Sequence, residues 1–248
     1  MRRLGEGMPG GGELRAIEVS DGLWAIVESV PENQYGEAAL AIGLKSLDWV
    51  GPRAIAHERV IEAFLSATAL LPMQLFTLFT SDDRVVEHVR SDRARVARIL
   101  KRIEKKVEWG LRLTWNEKAA REKAFADTKG PRRISKSGAN LSSSRTGTKY
   151  LTRKRDVLDV NRTRLVEART AADRLYTSVS RQAAASQRRT NMERAAPGSR
   201  LLLDAAFLVP RAKSKAVRAT IRQHTRALRA SGVAVSLTGP WPAYNFIQ

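Results

Sequence analysis

Between Tyr150 and about Arg189, one apolar seam runs through a strongly basic stretch. Leu151, Leu158, Leu165, Ala172 and Val179 recur every seven residues, with Ala168 and Leu175 beside them. That recurrence puts the side chains on one stripe of a helix roughly 60 Å long. The stripe is narrow, Arg and Lys crowd the other faces, and the offset positions Lys154, Asn161 and Gln182 are polar. A sustained coiled coil is therefore disfavoured, and the pattern predicts one long helix lying on a sheet.

The flanking sequence supplies strands for that sheet. Upstream, "KVEWGLRLTW" alternates as a strand does; downstream, "SRLLLDAAFLVP" is a strand stopped by Pro210. "KAVRATIRQHTRALRASG" reads as a helix closed by Gly232, and "VAVSLT" as a final strand. Strand, long helix, strand, helix, strand predicts an α+β C-terminal domain, ferredoxin-like with a long extra helix, over residues 104–248. The aperiodic Gly/Ser/basic run "TKGPRRISKSGANLSSSRTGT" predicts a flexible loop over 128–149.

The front of the chain has a different character. A Gly-rich stretch predicts a flexible leader over 1–12, followed by an N-terminal α+β domain over 13–103. "ELRAIEVS" and "GLWAIVESV" flank Asp21-Gly22, a strong hairpin signal. "SLDWVGPRAIAHERVIEAFL" carries apolar residues at helical spacing behind Ser46, a candidate cap. "LLPMQLFTLF" predicts a buried strand entered after Pro72. In "SDDRVVEHVRSDRARVARILKRIEK", Ser81 can cap a helix whose first turn holds Asp82 and Asp83, where the helix dipole favours negative charge.

Charge separates front from back. Residues 1–80 carry a net −4, residues 81–200 carry +17 and residues 201–248 carry +6, for +19 overall. Such a field attracts nucleic acid, anionic membranes or acidic protein surfaces without choosing between them, and a solvated helix surface explains it equally well.

Several chemistries are excluded or fail their context. With no cysteine among 248 residues, disulfides, thiolate metal sites and cysteine nucleophiles are absent. "GEGMPG", Gly5 to Gly10, matches a dinucleotide fingerprint literally but follows no strand and opens no helix. "HERVI" begins like a zinc-protease helix, yet Ile61 stands where the second histidine belongs. His57, His88 and His224 are too scattered for a metal cluster or a catalytic triad. The expectation is a protein that is not an enzyme, with no cofactor or metal. No window is apolar enough to span a bilayer and the N-terminus lacks a secretory pattern, so a cytoplasmic location is expected.

Four stretches together resemble one family. "SLDWVGPRAIAHERVIEAFL", with Trp49, His57 and Glu58, resembles the Asp-x-x-Trp-Val…Ala-x-x-His-Glu helix of the gas vesicle protein F/L family. "LLPMQLFTLF", with Pro72, is similar to its Leu-Pro strand, and "TGTKYLTRKR", with Tyr150 and Leu151, to its Gly-x-x-Tyr-Leu-x-x-Lys helix entry. "LTGPWPAYNFI" resembles its Thr-Gly-Pro-Trp-Pro-x-Tyr-x-Phe ending. One departure is clear: the family strand often reads Arg-Phe-Gly where this chain has Gln74-Leu75-Phe76, so no role of that arginine carries over. The resemblance implies two α+β domains and an accessory protein of gas vesicle assembly, located at the vesicle and counted among its minor components. The partners it implies are the small, very apolar vesicle wall protein and other accessory proteins. The competing class is a basic nucleic-acid-binding module, which the +17 of residues 81–200 prompts; no recognised nucleic-acid motif supports it.

The aromatic tail over 239–248 has two readings. Pro240 and Pro242 remove two backbone donors and stiffen the chain, so strand pairing is expected to stop there and Trp241, Tyr244 and Phe246 to dock. They either close over the protein's own core or hold a partner's apolar segment. Trp49, His57 and Glu58 are expected to hold the N-terminal domain together.

Overall fold

The computed structural model describes residues 6–116, 118, 120, 144–189 and 198–247; for 144–161 it describes the backbone course alone. The chain divides into two units, Met1–Glu108 together with Pro240–Gln248, and Trp109–Gly239.

In the first unit, β1 (Arg15–Ser20) and β2 (Leu23–Val27) pair antiparallel across Asp21-Gly22, with an irregularity between Glu18 and Ser20. Two short helices, α1 (Glu32–Tyr35) and α2 (Glu37–Gly43), lead into α3 (Leu47–Ala63). Ser46 occupies the cap position of α3 but makes no side-chain cap bond, and Pro52 lies inside the helix. The helical pattern from Ser81 onward forms two helices, α4 (Asp82–Ser91) and α5 (Arg93–Ile103). The Ser81 side chain accepts from the Arg84 N–H at 3.3 Å, capping α4 as its position suggests. The break falls at Ser91-Asp92, whose side chains bond locally, Ser91 to the His88 carbonyl and Asp92 to Arg95, and so compete with helix continuation. Val19, Tyr35, Ala56, Ile61, Val85, Val96, Ile99 and Ile103 are buried in this unit.

Two expectations fail here. The "LLPMQLFTLF" strand does not form: residues 69–80 are irregular, with a turn at Leu75-Phe76. Phe76 sits at φ 65°, the left-handed region, which breaks any strand, and its ring packs 5.4 Å from that of Trp49. The leader is also not loose from residue 6 onward. Met8 N–H donates to the Glu28 carboxylate at 2.8 Å, Tyr35 O–H to the Pro9 carbonyl at 2.7 Å, and Gly12 N–H to the Ser29 carbonyl at 2.8 Å. A Cβ at Gly7 or Gly11 would run into the Glu28 carboxylate, so these glycines let the backbone wrap closely around it. Residues 1–5 lie outside the described residues.

The second unit is built on a four-stranded sheet in the order β4-β5-β3-β6, formed by β3 (Lys106–Asn116), β4 (Ala185–Arg188), β5 (Ser199–Pro210) and β6 (Val233–Trp241). Helix α6 (Ser144–Ser180) connects β3 to β4, and α7 (Ser214–Ala230) connects β5 to β6. This β-α-β-β-α-β order, with the first and third strands central, is the ferredoxin-like arrangement. α6 packs on β5 and beside α7. Its seam residues Ala168, Ala172, Leu175 and Val179 are all buried, against a core that includes Leu111, Leu113, Trp115, Phe207, Val217 and Ile221.

Three boundaries differ from expectation. α6 begins at Ser144, so the last six residues of the loop expected over 128–149 are helical; residues 128–143 lie outside the described residues. α6 ends at Ser180, nine residues before Arg189, and Ala185–Arg188 pairs antiparallel with β5, Ala185 opposite Leu208 and Arg188 opposite Ala205. Ala-rich sequence favours helix, but pairing with a buried strand outweighs a propensity worth only tenths of a kcal/mol per residue, about 0.7 at most. Finally, β6 runs through Gly239 and Pro240 to Trp241, three residues past the end of the expected strand at Thr238. Pro240 is tolerated because β6 is an edge strand, and Gly239 takes φ 114°.

Candidate interaction site

Helix α3 positions most of the N-terminal signature. Trp49 lies beneath the Arg53 guanidinium, 3.9 Å from the ring, and the same guanidinium stands 5.0 Å from the Tyr35 ring. Arg53 Nη1 donates to the Trp49 carbonyl at 3.0 Å. The arginine is buried, and its charge rests on two π faces and a carbonyl, with no carboxylate paired to it among the described residues. A Cβ at Gly43 would approach the Trp49 ring within 2.6 Å, so α2 closes against the indole only through glycine. Burial pushes the Tyr35 hydroxyl pKa up, with Arg53 opposing it. Arg53 was not singled out from sequence; its spacing four residues after Trp49, on one helix face, is the signal that could have found it.

About one turn beyond Arg53 on α3, the adjacent His57 and Glu58 are half-buried. Burial holds His57 below the ordinary histidine range, with Glu58 partly offsetting it. Glu58 accepts the Tyr244 O–H at 2.7 Å. Burial first, then this bond and the neighbouring Glu58, Glu62 and Glu108 charges, push the Tyr244 pKa well above the usual phenol value. Glu108, 3% exposed, receives two donors from the next tail residue: Asn245 N–H at 2.8 Å and Asn245 Nδ2 at 2.5 Å. Residues 244–246 close as one 3₁₀ turn.

The tail therefore belongs to the first unit, not to the C-terminal domain in which the sequence boundary at 103/104 placed it. The physical reason is the pair of carboxylates, Glu58 and Glu108, that hold Tyr244 and Asn245. Pro242, Ala243 and Phe246 are buried, Trp241 and Tyr244 are half-buried, and Pro240 is exposed. Pro72 is buried in the irregular segment. Tyr150 and Leu151 lie in α6, and their side chains fall outside the described residues.

Exposed apolar residues occur elsewhere. Among the described residues, every exposed large hydrophobic side chain except Val166 falls in the first unit. The most open are Leu47 at 87% and Ile42 at 74%, followed by Ile55 at 61% and Leu44. Leu47 and Ile55 stand about two turns apart on the outer side of α3, and Ile42 and Leu44 lead into it. Among the described residues, no group of three His, Asp or Glu side chains is placed to hold a metal ion, and no helix is long and apolar enough to cross a membrane.

These features describe a two-unit α+β protein with a tail fastened to its first unit. The family described as "Gas vesicle synthesis protein GvpL/GvpF" matches residues 2–248, and the chain belongs to that family, one of gas vesicle structural or assembly proteins. It is 32% identical over 250 residues to gas vesicle protein L of Streptomyces sp. (strain CB03234), covering 98% of this chain and 87% of that protein. In fold it is similar to the crystal structure of GvpF from Anabaena sp. PCC7120, with TM-score 0.61, 15% identity, and coverage of 95% of this chain and 86% of that one. GvpF from Microcystis aeruginosa gives TM-score 0.57 at 14% identity, over 95% and 89% of the two chains.

Proposed function

We propose that this protein is a cytoplasmic assembly factor that binds the apolar gas vesicle wall protein and is retained as a minor vesicle component alongside other accessory proteins. A subunit built to face gas is an aggregation hazard before it polymerises, and a binder that covers its apolar surface removes that hazard. The observation that carries the reading is the exposed set Ile42, Leu44, Leu47 and Ile55, which contains the three most open large apolar side chains among the described residues and gathers them at α2 and α3. The aromatic tail serves a different purpose in this reading. Phe246, Tyr244 and Asn245 close the first unit, and the contact with the wall protein is made through the α2–α3 surface.

The test is co-purification of the wall protein with a Leu47→Asp/Ile55→Asp variant. The expected result is loss of the wall protein with the unfolding midpoint unchanged, because both side chains are already in water. Full retention by that variant would remove the α2–α3 surface from the account.

A further inference from the structure

The +6 of residues 201–248 is concentrated on one helix. α7 contains no Asp or Glu, and its exposed Lys215, Arg218, Arg222 and Arg226 follow one another at intervals of three, four and four residues. Residues three and four apart share a helix face, so these four charges form one straight row about 16 Å long. The sheet side of the helix is fixed by buried Val217, Ile221 and Leu228. The flank toward α6 is fixed by Thr220, whose hydroxyl accepts from Gln182 at 2.9 Å. Lys215, Arg222 and Arg226 lie on the flank turned away from α6, and among the described residues no carboxylate pairs with them. Two other arginines of this unit do find carboxylates: Arg188 pairs with Asp173, and Arg189 with Asp204. Arg218 stands 5.8 Å over the Trp109 ring, which anchors one member of the row.

We propose that this row is a docking surface for an acidic amphipathic helix of a partner protein. The complementarity is in spacing as well as sign. Carboxylates at i, i+3/i+4 positions along a helix repeat about every 5–6 Å, the same interval at which α7 presents its cations. Single-stranded nucleic acid fits less well, because α7 carries no Trp, Tyr or Phe on which a base could stack, and its one imidazole, His224, is half-buried and outside the row. Duplex recognition fits less well because its specific contacts come from polar side chains at the start of a helix entering the major groove, not from one flank along its length. The proposal goes beyond binding of the wall protein and does not depend on it, since the two surfaces lie in different units.

The experiment uses the full chain and two synthetic peptides of about twenty residues. One carries glutamates on a single helical face; the other has the same composition scrambled around the helix. The row variant is Lys215→Gln/Arg222→Gln/Arg226→Gln. The control removes equal charge from the exposed face of α6 with Arg162→Gln/Arg169→Gln/Arg174→Gln. Anisotropy titrations at low and near-physiological salt are expected to show the one-face peptide binding about tenfold more tightly than the scrambled one, and the row variant losing about tenfold. The α6 control should stay within about twofold of the parent, all binding should weaken with salt, and both variants should keep the parent's unfolding midpoint. Equal losses in the two variants, or equal binding of the two peptides, would overturn the proposal in favour of a general charge effect. Tighter binding of a DNA duplex, or of vesicles containing anionic lipid, that is lost in the same row variant would overturn it in favour of that partner.

Discussion

Phe76, Glu28 and Tyr244 each set two effects against one another, and magnitudes decide them. Phe76 holds φ 65° at the position where the family pattern has glycine, a conformation that costs a side chain about 1–2 kcal/mol. Its half-buried ring against Trp49 returns more, since truncating a fully buried Phe costs about 3–5 kcal/mol and half of that still exceeds the strain. Phe76→Gly is therefore expected to destabilise by only about 0.5 kcal/mol in urea unfolding, the difference of the two terms. A larger loss would mean the backbone is not strained. Burial raises the Glu28 pKa, with the Met8 N–H opposing it. A carboxyl group whose pKa is raised in the folded state favours that state at low pH, and the advantage is lost as pH rises from the ordinary carboxyl range through the folded value. Glu28→Gln should therefore raise the unfolding midpoint at pH 7 relative to parent, with the gain shrinking toward pH 4. For Tyr244 the same linkage acts at the alkaline end. With its folded pKa above the free phenol value of about 10, stability falls once pH passes that value and the unfolded chain ionises first. Tyr244→Phe should cost about 1 kcal/mol at pH 7 through the lost bond to Glu58, yet show a shallower decline above pH 10 in a pH-dependent unfolding series.

Elements with strong periodic patterns are legible in the sequence itself. The hairpin at Asp21-Gly22, the Ser81 cap, β3, β5, α7 and the buried face of α6 follow from local rules that the tertiary structure does not oppose. Ser81→Ala should cost about 1 kcal/mol, and Leu175→Ala, at the fully buried seam of α6, about 2–5 kcal/mol by denaturant unfolding. What was not legible depends on partners distant in sequence. Ala185–Arg188 is a strand because β5 offers it a ladder and because Arg188 is held by Asp173 and stacked 4.4 Å over Tyr176. Residues 69–80 look like a strand because they are apolar, but Met73, Leu78 and Phe79 are exposed and no ladder forms there. In the tail, Phe246 is buried and Tyr244 half-buried. The carboxylates that receive the tail, Glu58 and Glu108, are separated from their donors by 186 and 137 residues, and no local pattern reports such a pairing.

The molecule as a whole separates its surfaces by unit. Among the described residues, exposed large apolar side chains gather in Met1–Glu108, and the basic row of α7 lies in Trp109–Gly239. Removal of residues 240–248 tests the division. Hydrogen exchange should speed up across α3 and the start of β3, which lose Tyr244 and Asn245 as partners, and should leave the α6 seam protected. Loosening of α6 to the same extent would show that the tail is not specific to the first unit. The same division has a consequence in time. The first unit is interrupted by about 130 residues, so the pieces that complete it leave the ribosome far apart. At synthesis rates of roughly 5–20 residues per second, the front of the chain waits on the order of ten seconds for Tyr244 and Asn245. During that wait the Glu108 carboxylate and the apolar bed of Phe246 are uncovered. The inserted unit, by contrast, has its whole sheet by the time Trp241 emerges. Order of synthesis and order of completion are thus reversed, and a chain cut short anywhere before its aromatic end carries a front half that has never been sealed.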